Sequence, residues 1–374
     1  MLASAVLISL LTCLALLPPF LHLLGRQMGQ VLREEGPKSH AHKARTPTAG
    51  GLAFIFSTLL SAATCASFMS MNMPRAIAAL IAVLVVALTC ASLGLADDLA
   101  KVKLQSNKGL SESIRLKVET LIGLLFGVFL LWQNNGNIPI WLPFEHLDGI
   151  WKIGLVPFIV NPLIGVLLTA FLVVATANSL NLHDGMDGLA SGTAFLVFCS
   201  MAFMLVALSP RNPSFILLAI VCFSAAGGLL GFFCFNRHPA KIFMGDTGSL
   251  FIGGLMAAVA AASGLLLWFI PLALIFILET LSVIIQVTYF KLTKKYEPEK
   301  PMGKWQLIRL KLTKRLPGEG KRIFRMTPLH HHFESLLAER NIQEAQVVAM
   351  FWLAQALICS FVLFVFCLVL ERTV

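Results

Sequence analysis

Charge is scarce in this 374-residue chain, in which Asp, Glu, Lys and Arg make up 13% and hydrophobic residues 57%. Soluble globular domains carry about 25% charged and 45–50% apolar residues, so an ordinary soluble domain is excluded. A disordered chain, which combines low hydrophobicity with high charge, is excluded too. Zinc-ligand spacing and a secreted disulfide framework are also missing. The eight cysteines (13, 65, 90, 199, 222, 234, 359, 367) all fall in apolar stretches and no two form a CxxC pair, so they are expected to pack in the interior. No internal repeat is apparent, which removes the inverted-repeat mark of many secondary transporters. Met1 to Leu17 is apolar but lacks a preceding basic region and a small-residue cleavage site, and reads as a retained first span.

What the chain has instead is hydrophobicity in blocks, each long enough to cross about 30 Å of hydrocarbon. Ten blocks, at about 2–24, 49–70, 75–95, 115–132, 155–177, 190–208, 214–234, 249–265, 267–290 and 346–370, predict an all-α polytopic membrane protein with ten transmembrane helices, read as one domain over 1–374. Numbering the connections alternately, 25 of the 29 Lys and Arg belong to one set and four (Arg75, Lys152, Arg211, Arg372) to the other. The positive-inside rule makes the first set cytoplasmic and puts both termini on the outer, periplasmic face. The net charge of +10 then gives a cytoplasmic face suited to anionic headgroups or phosphates, although basic residues that only set topology would look the same. Fifteen of the 19 acids fall in or next to the same connections, and Glu279 alone lies deep in a span. The outer segment Gln133 to Pro157, with its Asn, Gly, Pro and Trp, fits a short hairpin or loop at headgroup level.

Four constellations occupy the cytoplasmic set. Asp97 and Asp98, followed by Lys101 and Lys103, come directly after a span. Adjacent carboxylates at a membrane border repel, and persist where a metal ion, a lysine or a phosphate-bound cation compensates them; a solvated helix end is the other reading. In the run Asn178, Asn181, His183, Asp184, Gly185, Asp187, Gly188, polar groups recur every third residue. On a continuous helix they would fan across half its surface, whereas a helix ending near Asn181 with turns at Gly185 and Gly188 lets them converge on a metal or substrate. In the third, running from Asn236 to Ser249, Gly245, Gly248 and Ser249 open a span, so their N–H groups stand at a helix N-terminus, where phosphate binds favourably. Asp246 there suits Mg²⁺ and Phe243 suits stacking on a base; a plain helix cap and an interface anchor are the alternatives. The fourth is His330, His331 and His332, which point in different directions on any regular element and at a helix N-terminus could clamp a diphosphate. Two smaller features are Lys43 to Gly51, a candidate anion nest or helix start, and the stripe Glu279, Ser282 and Gln286 in the ninth span, a buried carboxylate site or simple interhelical hydrogen bonding.

Taken together, the strings HxxK with TPT and GG (His40, Lys43, Thr46 to Thr48, Gly50, Gly51), DDxxKV, NKGLS (with Lys108) near Arg115 and Lys117, NxxNLxDGxDGLA, FNxxPAxxFMGDxGSL and PLHHHFE resemble the phospho-N-acetylmuramoyl-pentapeptide transferase family, within the polyprenyl-phosphate sugar-phosphate transferases. The resemblance covers about His40 to Glu334. It implies an enzyme of the bacterial inner (cytoplasmic) membrane, with its active site on the cytoplasmic face. It further implies transfer of phospho-MurNAc-pentapeptide from UDP-MurNAc-pentapeptide to undecaprenyl phosphate, with Mg²⁺, and a homodimer among membrane lipids with no nucleic-acid partner. By matched position, Asp246 would hold Mg²⁺, Asp97 would serve as base or orienting group for the lipid phosphate, and Asp98 would support substrate or metal. Asn178, Asn181, Asp184, Asp187 and Asn236, with Lys108, Lys117 and Gly245, would line the nucleotide and phosphate site; Lys43 and Phe243 would hold uracil. His330, His331 and His332 would contact the diphosphate or sugar region, beside Ser282 and Gln286.

The sequence departs from the family's pattern at Arg45, Ala49 and His183, which replace glycine, methionine and threonine, and in a longer connection at 294–322. Within that insertion Trp305, Ile308, Leu312 and Leu316 would share one helix face, which suggests a helix lying on the cytoplasmic leaflet, with a hairpin or disordered loop as the alternative. A UDP-HexNAc transferase of the same superfamily is disfavoured by PLHHHFE, and a transporter by the single deep acid.

Overall fold

In a computed structural model, residues 1–24, 46–69, 73–104, 109–147, 150–296, 303–314 and 316–372 are described. Lys43 and Lys108, with His40 and Arg45, lie outside them, as do parts of the 294–322 insertion. The described chain is helical apart from one hairpin. Its elements are α1 (Leu2–Leu24), α2 (Gly51–Ser67), α3 (Pro74–Leu104), α4 (Glu112–Gln133), β1 (Ile138–Leu147), β2 (Ile150–Val160), α5 (Pro162–His183), α6 (Leu189–Leu208), α7 (Phe215–Asn236), α8 (Gly245–Ser263), α9 (Leu266–Leu272), α10 (Leu274–Thr293), α11 (Lys304–Thr313), α12 (Leu329–Ala338) and α13 (Glu344–Glu371). Eight of the described helices are long and apolar enough to cross a membrane; α2, with 17 residues, is shorter. All ten apolar blocks fall on helices, with two local differences. The block at 155–177 becomes helical only at Pro162, because Ile150–Val160 pairs antiparallel with Ile138–Leu147 in the hairpin. The block at 267–290 divides into α9 and α10 at Ala273, which leaves the helical conformation (φ −88°, ψ 7°).

Helix α8 runs through the middle of the bundle. It packs against α3 and α5 along its length and is buried almost all round, as is α7, which suits helices that are apolar on every face. Small residues permit the close crossings. A Cβ on Gly253 of α8 would stand 2.5 Å from the Cα of Ala177 in α5, and one on Gly94 of α3 would stand 2.2 Å from the carbonyl oxygen of Asp246. The second crossing matters for the site, since it brings the end of α3 against the first turn of α8. At the opposite end, Gly264 closes α8 in the left-handed conformation (φ 72°), and the hairpin docks there through Trp141, whose backbone N–H donates to Gly264 O (2.9 Å) and whose indole donates to Ser263 O (3.0 Å).

Candidate active site

The constellations meet where α3, α5 and α7 end and α4, α8 and α12 begin. Segment 46–50 joins them through backbone bonds: Phe243 N–H donates to Pro47 O (2.9 Å) and Gly50 N–H to Phe243 O (2.9 Å). The two adjacent aspartates at the end of α3 face different partners, because successive helical residues differ by about 100° in direction. Asp98, 3% exposed, turns toward the start of α8. Its Oδ1 accepts from Asp246 N–H (3.1 Å), and its Oδ2 accepts from Thr247 N–H (3.0 Å) and the Thr247 hydroxyl (2.6 Å). It therefore caps α8 from a neighbouring helix, with a negative charge on the helix's positive end. Asp97 turns the other way, where Oδ1 accepts from Leu110 N–H (2.6 Å) and Oδ2 pairs with Lys101 Nζ (2.7 Å).

Lys101 makes the central link. Its ammonium lies 2.7 Å from Asp97 and 3.0 Å from Asp246 Oδ2, so two carboxylates from different helices gather on one cation. Arg115 of α4 approaches the same Asp246 oxygen (3.5 Å) and donates to Asn178 Oδ1 (3.2 Å), while Asn178 Nδ2 donates to Glu119 Oε2 (2.6 Å). Lys101 and Arg115 appear in the sequence motifs without an assigned role, and Glu119 was not expected at the site; the i, i+4 spacing of Asp97 and Lys101 was the available signal for their pairing. The oxygen-only donors of Asp97 and Asp246, already drawn round a positive charge, fit a hard divalent cation such as Mg²⁺.

The Asn/Asp turn follows at the end of α5, which runs on to His183, two residues past Asn181. Gly188 takes the left-handed conformation (φ 79°), and a Cβ on Gly185 would meet the His330 ring at 2.2 Å, so each glycine has its own steric reason. The Asn181 side-chain amide reaches the Asp246 carboxylate, so the turn joins the same cluster. Asp184 is half-buried at the turn. Asp187, 3% exposed, instead accepts from Ala240 N–H (3.0 Å) and contacts His238 Nδ1 (3.1 Å), tying the turn to the loop before α8. Asn236 has a similar bridging place: Oδ1 accepts from Gly188 N–H and the Ser191 hydroxyl (both 3.1 Å), and Nδ2 donates to Ile242 O (2.9 Å). Gly245 opens α8 at φ 69°, Phe243 is half-buried beside segment 46–50, and Lys117 stands exposed on α4.

The three histidines do lie in the first turn of a helix, α12, and they separate there. His330 is completely buried and faces Glu279, whereas His331 contacts Glu334 (3.0 Å) and His332 Nδ1 accepts from Arg325 N–H (3.2 Å). Ser282 donates to Glu279 O (2.6 Å). Gln286 pins segment 323–324 to α10, accepting from Ile323 N–H (2.9 Å) and Phe324 N–H (3.1 Å) and donating to Phe324 O (3.2 Å). The insertion contains α11, docked on the end of α10 by lysines that reach carbonyls: Lys291 to Leu312 O (3.1 Å), Lys294 to Leu316 O (2.6 Å) and Lys311 to Lys294 O (2.8 Å). Trp305 stands 83% exposed on it.

A sequence model of Glycosyl transferase family 4 matches residues 80–264, which hold Asp97, Asp98, the Asn/Asp turn and Asp246. The chain is 36% identical over 330 residues to a protein of Gloeothece citriformis (strain PCC 7424), covering 88% of this chain and 77% of that protein. It is 35% identical over 354 residues to one of Geobacillus sp. (strain WCH70), covering 93% and 92%, and 37% identical over 348 residues to one of Desulforamulus reducens (strain ATCC BAA-1160 / DSM 100696 / MI-1), covering 92% and 90%. Each of the three is named phospho-N-acetylmuramoyl-pentapeptide-transferase.

Proposed function

The chain belongs to the phospho-N-acetylmuramoyl-pentapeptide-transferase family, and from that premise we propose that it moves phospho-MurNAc-pentapeptide from UDP-MurNAc-pentapeptide to undecaprenyl phosphate. The products are lipid I and UMP, in peptidoglycan synthesis. The observation that carries the reading is the pairing of Asp97 and Asp246 on Lys101 at the first turn of α8, with Arg115 beside them.

In this reaction an oxygen of the acceptor phosphate attacks the sugar-linked phosphorus of the donor, the bond from that phosphorus to the bridging oxygen breaks, and UMP leaves with that oxygen. One diphosphate replaces another, so catalysis rests on position and charge neutralisation more than on driving force. Asp246 and Asp97 would hold Mg²⁺, which when bound neutralises the charge of the diphosphate. Lys101 and Arg115 add positive charge at the same place. Asp97 orients the acceptor phosphate; a phosphate with its second pKa near 6 is already mostly ionised at neutral pH and needs no strong base. Asp98 acts through α8, by fixing the turn that carries Asp246. By matched position, Asn178, Asn181 and Asp184 would bind the nucleotide, Gly245, Lys108 and Lys117 would serve its phosphates, and Lys43 and Phe243 would hold uracil. His331 and His332 serve the diphosphate and sugar, while His330, Asp187, Asn236, Ser282 and Gln286 hold the surrounding segments in place.

The charge bias of the connections supports ten crossings of the bacterial inner membrane, with both termini periplasmic and the site cytoplasmic. The whole chain then acts as one domain, as a homodimer, with the acceptor tail along α10, whose outer face exposes Leu278, Leu281, Ile284 and Ile285. The test is mass spectrometry of lipid extracted after the purified protein acts on both substrates with Mg²⁺. Undecaprenyl diphosphate carrying the muramoyl pentapeptide is expected, and is lost in Asp246→Asn. A lipid carrying only N-acetylglucosamine phosphate when both nucleotide sugars are offered would overturn the reading.

A further inference from the structure

A second group of ligating side chains takes no part in the proposed transfer. His183 at the end of α5, Glu279 of α10 and His330 of α12 are each 0% exposed. Glu279 Oε1 lies 3.4 Å from His183 Nδ1 and 3.2 Å from His330 Nδ1, and ligand atoms of the three residues all fall within 4.8 Å of one another. None of these three atoms has a hydrogen-bond partner outside the cluster. The remaining carboxylate oxygen, Oε2, accepts from His330 N–H (3.3 Å).

The far side of His183 is held by a hydroxyl. Its Nε2 is 3.1 Å from the Thr193 hydroxyl, which itself donates to Leu189 O (2.9 Å). A hydroxyl with its one proton on that carbonyl accepts from Nε2–H, so in the neutral ring Nδ1 carries the lone pair that faces the carboxylate oxygen. The rings of Phe276 and Phe351, centred 5.0 and 6.1 Å from that of His183, make the surroundings apolar. Two imidazole nitrogens and a carboxylate oxygen facing one another in such an interior form a donor set that a cation between them would compensate.

We propose that His183 Nδ1, His330 Nδ1 and Glu279 Oε1 bind a Zn²⁺ ion, separate from the Mg²⁺ site at Asp246. Ligands about 2.0–2.1 Å from a tetrahedral centre stand about 3.3–3.4 Å apart, which the measured 3.2 and 3.4 Å edges match. Two imidazoles and one carboxylate favour a borderline cation over Mg²⁺, and the Thr193 contact supplies the outer hydrogen bond that orients a ligating histidine. The ion ties α5, α10 and α12 together. It thereby holds Asp184 and His331, the chain neighbours of two of its ligands, in fixed relation.

The test uses the full chain purified without a polyhistidine tag or chelator. Elemental analysis is expected to find about one zinc per chain in the unaltered protein and in Asp246→Asn, and almost none in His183→Thr or Glu279→Gln. X-ray absorption at the zinc edge of the unaltered protein is expected to show two imidazoles among light-atom ligands, a readout independent of whether any variant folds. Zinc-free unaltered protein, zinc retained in His183→Thr, or a spectrum with fewer than two imidazoles would each overturn the assignment.

Discussion

Replacing Asp98 by Asn should weaken the protein more than it changes metal binding, and replacing Asp97 by Asn should do the reverse. Asp98 accepts three hydrogen bonds, two of them from backbone N–H groups in the first turn of α8. Bonds to a charged acceptor are worth about 1.5–3 kcal/mol each, and a negative charge at a helix N-terminus adds about 0.3–1 kcal/mol. Asn retains one acceptor oxygen, which can keep the two donors of Thr247, while its NH₂ then faces Asp246 N–H, a donor left without an acceptor. The expected loss is about 2–3 kcal/mol. At about 2–4 °C per kcal/mol for domains of 150–250 residues, and less for a longer chain, this lowers the melting temperature by about 2–6 °C. Turnover falls because Asp246 is displaced, and the Mg²⁺ concentration for half-maximal rate stays near that of the unaltered protein. In Asp97→Asn one oxygen can still accept from Leu110 N–H, and the ion pair that is lost involves a partly exposed lysine. Its melting temperature should fall less than that of Asp98→Asn, because Lys101 keeps Asp246 as a partner although Asp97 itself is buried, while the Mg²⁺ requirement rises. Thermal unfolding followed by intrinsic fluorescence, paired with Mg²⁺ titrations of activity, separates the two. An Asp98→Asn protein that melts like the unaltered one and needs far more Mg²⁺ would refute this reasoning.

Lys101→Met, which removes the cation shared by Asp97 and Asp246, should lower turnover at least about 100-fold, or about 2.7 kcal/mol of barrier, while Mg²⁺ binds more tightly to the uncompensated carboxylates; Mg²⁺-dependent protection against heating measures the second effect. Gly94→Ala would drive a methyl group into the Asp246 backbone, and is expected to cost at least about 2 kcal/mol in stability. Gly303→Ala, with only Gln306 Oε1 near at 3.9 Å, should leave the melting temperature unchanged. Trp305, exposed on α11, should be quenched by lipids brominated near the headgroup when the protein is in bilayers; emission indifferent to the brominated lipids would place α11 away from the leaflet.

Much of the fold was legible because crossing hydrocarbon demands long apolar blocks, and most of each block is helix, although 155–160 pairs in the hairpin instead. The break at Ala273 was not legible, since a count of apolar residues does not register a local change of backbone conformation. The site was legible as a set of loop-end motifs and not as an arrangement. Asp97 and Asp98 read alike in sequence, and only the packing of α3 on α8 assigns one to a cation and the other to a helix cap. Gln286 and Asn236 read as candidate ligands in sequence; in the structure Gln286 bonds the backbone of segment 323–324 and Asn236 bridges Gly188, Ser191 and Ile242. Nothing in the spacing of His183, Glu279 and His330 announces that they meet, as they come from three helices far apart in the chain.

The central claim is a metal-dependent transfer specific for the muramoyl donor. It is tested most directly by UMP release from the purified protein given undecaprenyl phosphate and Mg²⁺, with UDP-MurNAc-pentapeptide and UDP-GlcNAc supplied in separate reactions and in competition. The account predicts release from the muramoyl donor alone, abolished by EDTA and restored by Mg²⁺. Release from UDP-GlcNAc alone, or from neither donor by folded protein, would contradict it.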